Sequence, residues 1–331
     1  MSSSPGPIRL LDAGPAGTLS DLTERLALEY GTAAHPELVR RAPELTAKIG
    51  ASVRELLSPP DPELGLFVLR GLPVDDTRIG RTPPHWSDVS PVRTASWDIM
   101  MMLLASAMGR PFGWAGQQDG KLVHNLVPSA DQELAQTGMS SAVQLSPHCE
   151  GAFHPRRAHL LMLACMRNRG GVSTHVASVR RTRLDAADRA LLATPTVPIL
   201  PDDSYGDSSS YDDDSPPVPT LWEREDGVCL RFDPAHTPLE RAGRRYRVAY
   251  LRLGEELRRV GNSITLEPGD VLVMDNDAVV HGRQPFTARY DGTDRWLKRI
   301  NVRVPGRRRP AFEEHEHGYG QEIVDPYWLA E

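Results

Sequence analysis

The 331-residue chain carries only three cysteines, Cys149, Cys165 and Cys229, too few and too scattered for a disulfide framework or a zinc-finger spacing. A reducing, cytoplasmic setting is therefore expected. Long apolar runs are also missing: the longest mainly apolar stretch, Ile99 to Met108, falls short of the roughly 20 residues a membrane span needs. The opening Met1-Ser-Ser-Ser-Pro-Gly lacks the basic and apolar regions of a secretory signal. Positive charge is not in excess, since 38 Lys and Arg against 44 Asp and Glu leave a net charge of -6, which removes any general attraction to nucleic acid. The run Arg307-Arg308-Arg309, set between Pro305-Gly306 and Pro310, reads as a solvated terminus. No regular repeat and no Rossmann fingerprint occurs.

Within those limits, helical patterns come first and short β-like runs follow. Ser20 is placed to cap a helix containing Leu22, Leu26 and Leu28. Pro43 suits the first turn of a second helix running towards Leu57, with Leu45, Ile49, Val53 and Leu56 as its apolar face. Leu66-Phe-Val-Leu69 reads as a strand, His159 to Cys165 as a buried strand, and Trp97 to Met108 as a helix stopped by Gly109 and Pro111. The Met100-Met-Met-Leu-Leu104 run in that helix fits core packing better than a flexible ligand groove. The carboxy-terminal half, cut into short runs by Gly, Pro and Asp, suits an antiparallel double-sheet jelly roll. The expected fold is mainly β with α additions. It is one domain over residues 1–331, with a helical elaboration at about 18–110 and a jelly-roll core at about 111–304. Inside that core, the acidic, polar run Asp202 to Asp214 predicts a mobile insertion over about 201–219. Such a segment suits a lid over a site and a passive surface loop equally well.

The residues that carry chemistry are His148, Glu150 and His281. If Pro147 to Phe153 is extended, His148 and Glu150 point to one face and Cys149 to the other. His281 follows the turn-strand-turn pattern Gly269 to Asn276, so it can arrive from a distant strand. Two imidazoles and one carboxylate take one face of an octahedral ferrous centre and leave three positions for a bidentate 2-oxoacid and O2. Arg295, fourteen residues beyond His281, supplies a guanidinium for a dicarboxylate. Singly, each of these residues reads as an ordinary hydrogen-bonded or solvated side chain; the set is what is specific. A zinc hydrolase can use the same facial set but does not require Arg295.

The motifs His148-Cys-Glu150-Gly-Ala-Phe-His154, Ser173-Thr174-His-Val-Ala-Ser178, Val280-His281-Gly-Arg-Gln-Pro-Phe286 and Arg295-Trp-Leu-Lys-Arg299 together resemble those of iron(II)/2-oxoglutarate-dependent oxygenases. The likeness is to the clavaminate synthase-like branch, which includes asparagine and arginine beta-hydroxylases of nonribosomal peptide antibiotic pathways. It extends from the amino-terminal helices through Val304. It implies a double-stranded beta-helix, a cupin-like jelly roll. It also implies Fe(II) on His148, Glu150 and His281, with 2-oxoglutarate and O2 as cosubstrates. Arg295 would hold the remote carboxylate of 2-oxoglutarate, helped by the hydroxyl of Thr174 or, less favourably, of Ser173.

By the same resemblance, Arg299 receives a substrate carboxylate, Gln117 and Glu150 grip its α-amino group, and Asp233 meets its side chain. The arginine-hydroxylating relatives carry a second acidic residue where this chain has Ala235, which weakens an assignment to arginine because a guanidinium is matched best by paired carboxylates. Asp233 also suits a turn before Pro234, Gln117 a polar loop and Arg299 a solvent-facing strand. The implied reaction is hydroxylation of an unactivated carbon, C3, of a free L-amino acid or close derivative, with release of succinate and CO2. A carrier-protein-bound aminoacyl group is a further form of substrate, and no nucleic-acid or membrane partner is expected. The alternative is oxidation, cyclisation or desaturation of a non-amino-acid intermediate. A jelly roll that only binds a ligand, or a structural protein, would form no succinate.

Overall fold

A computed structural model describes residues 7–205 and 216–324. Strand β1 (Ile8–Leu10) leads into helices α1 (Ala13–Tyr30), α2 (Pro36–Ala47) and α3 (Ala51–Leu56). Strand β2 (Leu66–Arg70), the short α4 (Asp76–Ile79) and the long α5 (Pro91–Met108) follow. Next come β3 (Arg110–Trp114), β4 (Val123–Leu126), β5 (Leu145–His148), β6 (Leu160–Arg167), β7 (Thr174–Ser178) and α6 (Ala186–Leu192). A hairpin of β8 (Leu221–Arg224) and β9 (Gly227–Leu230) precedes α7 (Arg244–Val260). The chain then runs through β10 (Asn262–Ile264), β11 (Val271–Asp275), β12 (Val279–Arg283), β13 (Trp296–Arg303) and β14 (Ile323–Val324).

Two sheets dominate. The larger has the order β1-β2-β11-β6-β13-β3-β14, with β4 also paired to β13, and the smaller the order β10-β7-β12-β5. Side-chain alternation along each strand explains the layering. Phe67, Leu69, Met162, Ala164, Val271, Val273, Ile300 and Val302 turn to one face of the larger sheet, against α1, α2, α3 and α5. Their neighbours Leu66, Val68, Leu161, Leu163, Leu272 and Leu297 turn to the other face and meet Val176 and Val279 of the smaller sheet. The outer side of the smaller sheet, with Ala177 and Val280, packs against α7 through Ala249, Tyr250 and Leu253. The same parity directs Thr174, His281 and Arg299 into the space between the sheets.

The helices depart from the sequence expectations at their starts. Helix α1 begins at Ala13 rather than after Ser20, because Ala16 and Leu19 already bury in its first turns; Leu28 is exposed. Helix α2 begins at Pro36, with His35 accepting a cap bond from the Glu37 amide, so Pro43 lies inside it. Gly50, at φ +94°, separates α2 from α3 in a conformation that a side chain would strain. Helix α5 starts at Pro91, and its Met100–Met102 run is fully buried core, as expected.

Arg307 and Arg309 are not solvated as expected. Both reach Asp277, which is buried in the turn between β11 and β12; Arg307 Nη2 lies 2.8 Å from it. Arg157, also fully buried, pairs with Glu313 at 3.0 Å, and Arg231 with Glu316 at 2.7 Å. Burial alone pushes the Asp277 carboxyl up, but Arg309, Arg307 and Arg157 outweigh it and hold it well below the usual carboxylate range. The expected acidic insertion falls largely on residues 206–215, outside the described residues. No helix among the described residues is long and apolar enough to cross a membrane.

Candidate active site

The smaller sheet brings the two histidines together by register. His281 on β12 pairs directly with His148 on β5 and, on its other side, with Val176 on β7. This pairing needs Gly282: a Cβ there would lie 2.6 Å from the Leu145 carbonyl oxygen and 3.1 Å from the Pro147 nitrogen, so any side chain would push β5 away. The imidazole centroids are 4.4 Å apart. His148 Nδ1 lies 2.8 Å from the Ser146 carbonyl, which makes Nδ1 the donor and leaves the Nε2 lone pair free for a metal.

Glu150 reaches the same point by a different route from the one expected. Strand β5 ends at His148, and Glu150 occupies the turn beyond it. Its Oε2 is 3.7 Å from His281 Nε2, and one ligand atom from each of His148, Glu150 and His281 lies within 4.8 Å of the others. Burial, then the charges of His148 and Arg299, hold the His281 pKa well below the ordinary histidine value, which keeps it in the neutral form that ligates. Two imidazoles and one carboxylate on adjoining elements fit a divalent iron.

Arg295 stands just before β13. It is partly buried, its Nη2 donates to Thr174 Oγ1 at 3.0 Å, its buried Nε has no partner, and no carboxylate among the described residues pairs with it. Burial pushes its pKa down to about 10. Withdrawing a guanidinium from water without a counterion is costly, and a carboxylate ligand would relieve that cost. Arg283 is also buried and has no carboxylate partner among the described residues, but its donors are spent on Ser140 Oγ at 2.8 Å and the Gln284 carbonyl at 3.0 Å. Ser173, one residue before Thr174, turns away and bonds Thr265 Oγ1 at 2.7 Å. The structure thus brings Thr174, and not Ser173, to Arg295.

Arg299 is not solvent-facing. Its Nη1 donates to Glu150 Oε1 at 2.6 Å, and its Nη2 to Gln117 Oε1 and to His124 Nδ1, both at 2.8 Å. Gln117 Nε2 in turn donates to Ser204 Oγ at 2.6 Å, and the Ser204 amide to Asp202 Oδ1 at 2.8 Å. His148, Glu150, Gln117, His124, Asp233 and Arg299 all line one cavity of about 230 Å³. That is below the roughly 300–1,000 Å³ of sites for drug-sized ligands, a size suited to one small molecule. Asp233 uses its carboxylate within its own turn, accepting from the Ala235 amide at 3.1 Å and lying 3.0 Å from His236 Nδ1, while still lining the cavity.

Sequence reasoning missed His124, which faces Arg299 across the β4–β13 ladder. It also missed Asn276, whose side chain grips the backbone of Glu150. His124 sits in no motif and Asn276 only closes the turn-strand-turn pattern Gly269 to Asn276; the role of each is recognisable only once strands are paired. His154 and His159 serve backbone contacts instead, with His154 Nε2 3.1 Å from the Gln321 carbonyl and His159 Nδ1 accepting from the Val304 amide at 2.9 Å.

Comparison with known proteins gives a consistent picture. Residues 42–301 match the family model described as taurine catabolism dioxygenase TauD, TfdA family. The chain is 36% identical over 285 residues to an enduracididine beta-hydroxylase of Streptomyces hygroscopicus, covering 79% of this chain and 82% of that protein. It is 33% identical over 314 residues to an L-ornithine/L-arginine 3-hydroxylase of Catenulispora acidiphila, covering 87% and 90%. Among solved structures it resembles the non-heme iron oxygenase OrfP in complex with Fe, succinate and (3R,4R)-dihydroxy-L-Arg. The TM-score is 0.82 and the identity 36%, over 90% of this chain and 94% of that one.

Proposed function

The chain belongs to the TauD/TfdA dioxygenase family, and on that premise we propose that it is an iron(II)- and 2-oxoglutarate-dependent dioxygenase that hydroxylates C3 of a free L-amino acid. The observation that carries this reading is Arg295, partly buried with no carboxylate partner among the described residues and bonded to Thr174 of β7, the strand that pairs with β12 and so with His281 of the two-imidazole, one-carboxylate set. His148, Glu150 and His281 hold the iron, and Arg295 with Thr174 holds the remote carboxylate of 2-oxoglutarate. Iron with bound 2-oxoglutarate supplies O2-dependent oxidation of a C–H bond, with succinate and CO2 as co-products.

The chain's own residues select and orient the substrate. Arg299 receives its carboxylate through a charge-assisted contact, and Gln117 and Glu150 offer acceptor oxygens to its ammonium group. Asp233 at the cavity wall faces the side chain. The names of the relatives favour a free amino acid over a carrier-bound one. The two facing sheets, eight of whose strands fall after residue 144, support a double-stranded beta-helix core. Because β1 and β2 join the larger sheet, the helical elaboration and the core are read as one domain. The three buried free cysteines suit a reducing, cytoplasmic setting.

The test is anaerobic reconstitution with Fe(II) and 2-oxoglutarate, then oxygen exposure across a panel of free amino acids, with succinate and product mass as readouts. A product heavier by one oxygen, formed with matching succinate, is expected. A product lighter by two hydrogens would move the assignment to desaturation or ring closure. If no amino acid raises succinate above background, the free amino-acid reading fails.

A further inference from the structure

We infer that Asn276 is a positioning residue that sets the place of Glu150 in the metal site. The inference rests on Glu150 being an iron ligand, as proposed above.

Glu150 lies beyond the end of β5, so no sheet ladder fixes its backbone. Its two peptide groups are instead read by one side chain. Asn276 Oδ1 accepts from the Glu150 amide at 2.7 Å, and Asn276 Nδ2 donates to the Glu150 carbonyl at 2.9 Å and to the Ala158 carbonyl at 3.1 Å. All the amide capacity of Asn276 that is seen is directed at this neighbouring segment. The turn that carries Asn276 does not use this side chain to close: the Ala278 amide bonds the Asp275 carbonyl at 3.0 Å, and the Asp277 amide bonds Asp275 Oδ1 at 3.0 Å. The backbone amide of Asn276 donates to the His159 carbonyl at 2.9 Å, which ties the turn to the start of β6.

The platform under Asn276 is rigid. Asp277, the next residue, is the buried carboxylate on which Arg307 and Arg309 converge. The same turn leads directly into β12 and His281. One side of the turn therefore places the second imidazole through the sheet, and the other places the carboxylate through an amide that mimics a strand partner. The distance between Glu150 and His281 is set within one short stretch of chain.

The test uses full-length Asn276→Ala and Asn276→Asp. Asp conserves the volume and keeps an acceptor for the Glu150 amide, but sets an oxygen against the Glu150 and Ala158 carbonyls. Fe(II) affinity is measured anaerobically by calorimetric titration, alongside thermal unfolding of the metal-free protein and the product-to-succinate ratio. Both variants are expected to bind Fe(II) roughly 10- to 100-fold more weakly, the range for lost outer-sphere partners, and to form more succinate per product. A Leu38→Ala control, in α2 within the core on the helix-covered face of the larger sheet and apart from the cluster that holds Cys149, Ala152 and Val280, is expected to lose stability while keeping wild-type Fe(II) affinity. Wild-type metal affinity and coupling in both variants, with only lowered stability, would overturn the inference. So would failure of both to fold, which would assign Asn276 to the fold. If the wild-type protein itself binds no Fe(II), the iron reading fails and this one with it; the ratio of variant to wild type separates the two cases.

Discussion

Two buried clusters of charge flank the turn Asp275–Ala278. Behind it, Asp277, Glu313 and Glu316 meet Arg157, Arg231, Arg307 and Arg309, so that each guanidinium faces a carboxylate. In front of it, between the sheets, Glu150 and Arg299 pair at 2.6 Å, but His148 and His281 converge on the same carboxylate and Arg295 faces no carboxylate among the described residues. In the first cluster every guanidinium has a carboxylate partner, Asp277 serving two of them and Asp275 adding a second for Arg307 at 2.6 Å, and the cluster fastens residues 304–316 onto the core. The second leaves groups that a metal ion and a carboxylate would satisfy. Burial of charge is common to both; incomplete pairing is what marks a functional site.

This contrast is broken most severely by removing a ligand. His281→Ala or His148→Ala is expected to abolish coupled turnover and to weaken Fe(II) binding by more than the roughly 100-fold upper range for outer-sphere changes, measured by anaerobic titration. Near-normal iron binding in either variant would remove that residue from the ligand set. Stability should change less than metal binding, because the hydrogen bond from His148 Nδ1 to the Ser146 carbonyl joins residues only two apart.

A pair of substitutions sharpens the comparison. Asp277→Asn should cost about 3–5 kcal/mol of stability, since it strands buried guanidinium groups, without changing 2-oxoglutarate affinity in the folded fraction. The Asp277 carboxyl is depressed in the folded state. Its contribution is therefore fully present above the unfolded carboxylate value of about 3.9 and is lost as pH falls through the folded value. The stability gap between wild type and variant should hold from neutral pH down to about that value and then close, as read by denaturant unfolding. Arg295→Leu should behave in the opposite way: 2-oxoglutarate binding weakens by about 2–5 kcal/mol, while Fe(II) affinity and stability survive. An unchanged dissociation constant would reject Arg295 as the clamp.

The smallest effect is expected from Thr174→Val, which keeps the strand shape and removes one hydrogen bond to Arg295. It should weaken 2-oxoglutarate binding by about 1–2 kcal/mol, measured by titration at saturating Fe(II). No change would leave the hydroxyl without a role in the site.

Much of this was legible in the primary structure because it is local or periodic. The strand at Leu66–Leu69, the buried Met100–Met102 run and the facial set all follow from residue type, alternation or spacing. Helix starts were legible less well, since Ser20 and Pro43 carry start signals that burial of Ala16, Leu19, Leu38 and Val39 overrides. Arg307 and Arg309 look solvated in sequence because their partner Asp277 lies some 30 residues upstream.

The sequence by itself determined which chemistry is on offer: two histidines, a glutamate and two arginines four residues apart on one strand register, types that a ferrous ion and carboxylates require. Only the tertiary structure decided how they are held. Glu150 is placed by Asn276 from 126 residues away rather than by its own strand, and Arg299 is turned into the cavity by pairing with Glu150 and His124. Thr174 rather than Ser173 meets Arg295 because alternate residues of β7 face opposite sides. Pairings of this kind depend on sheet register and on contacts between distant segments, which have no periodic signature in the chain.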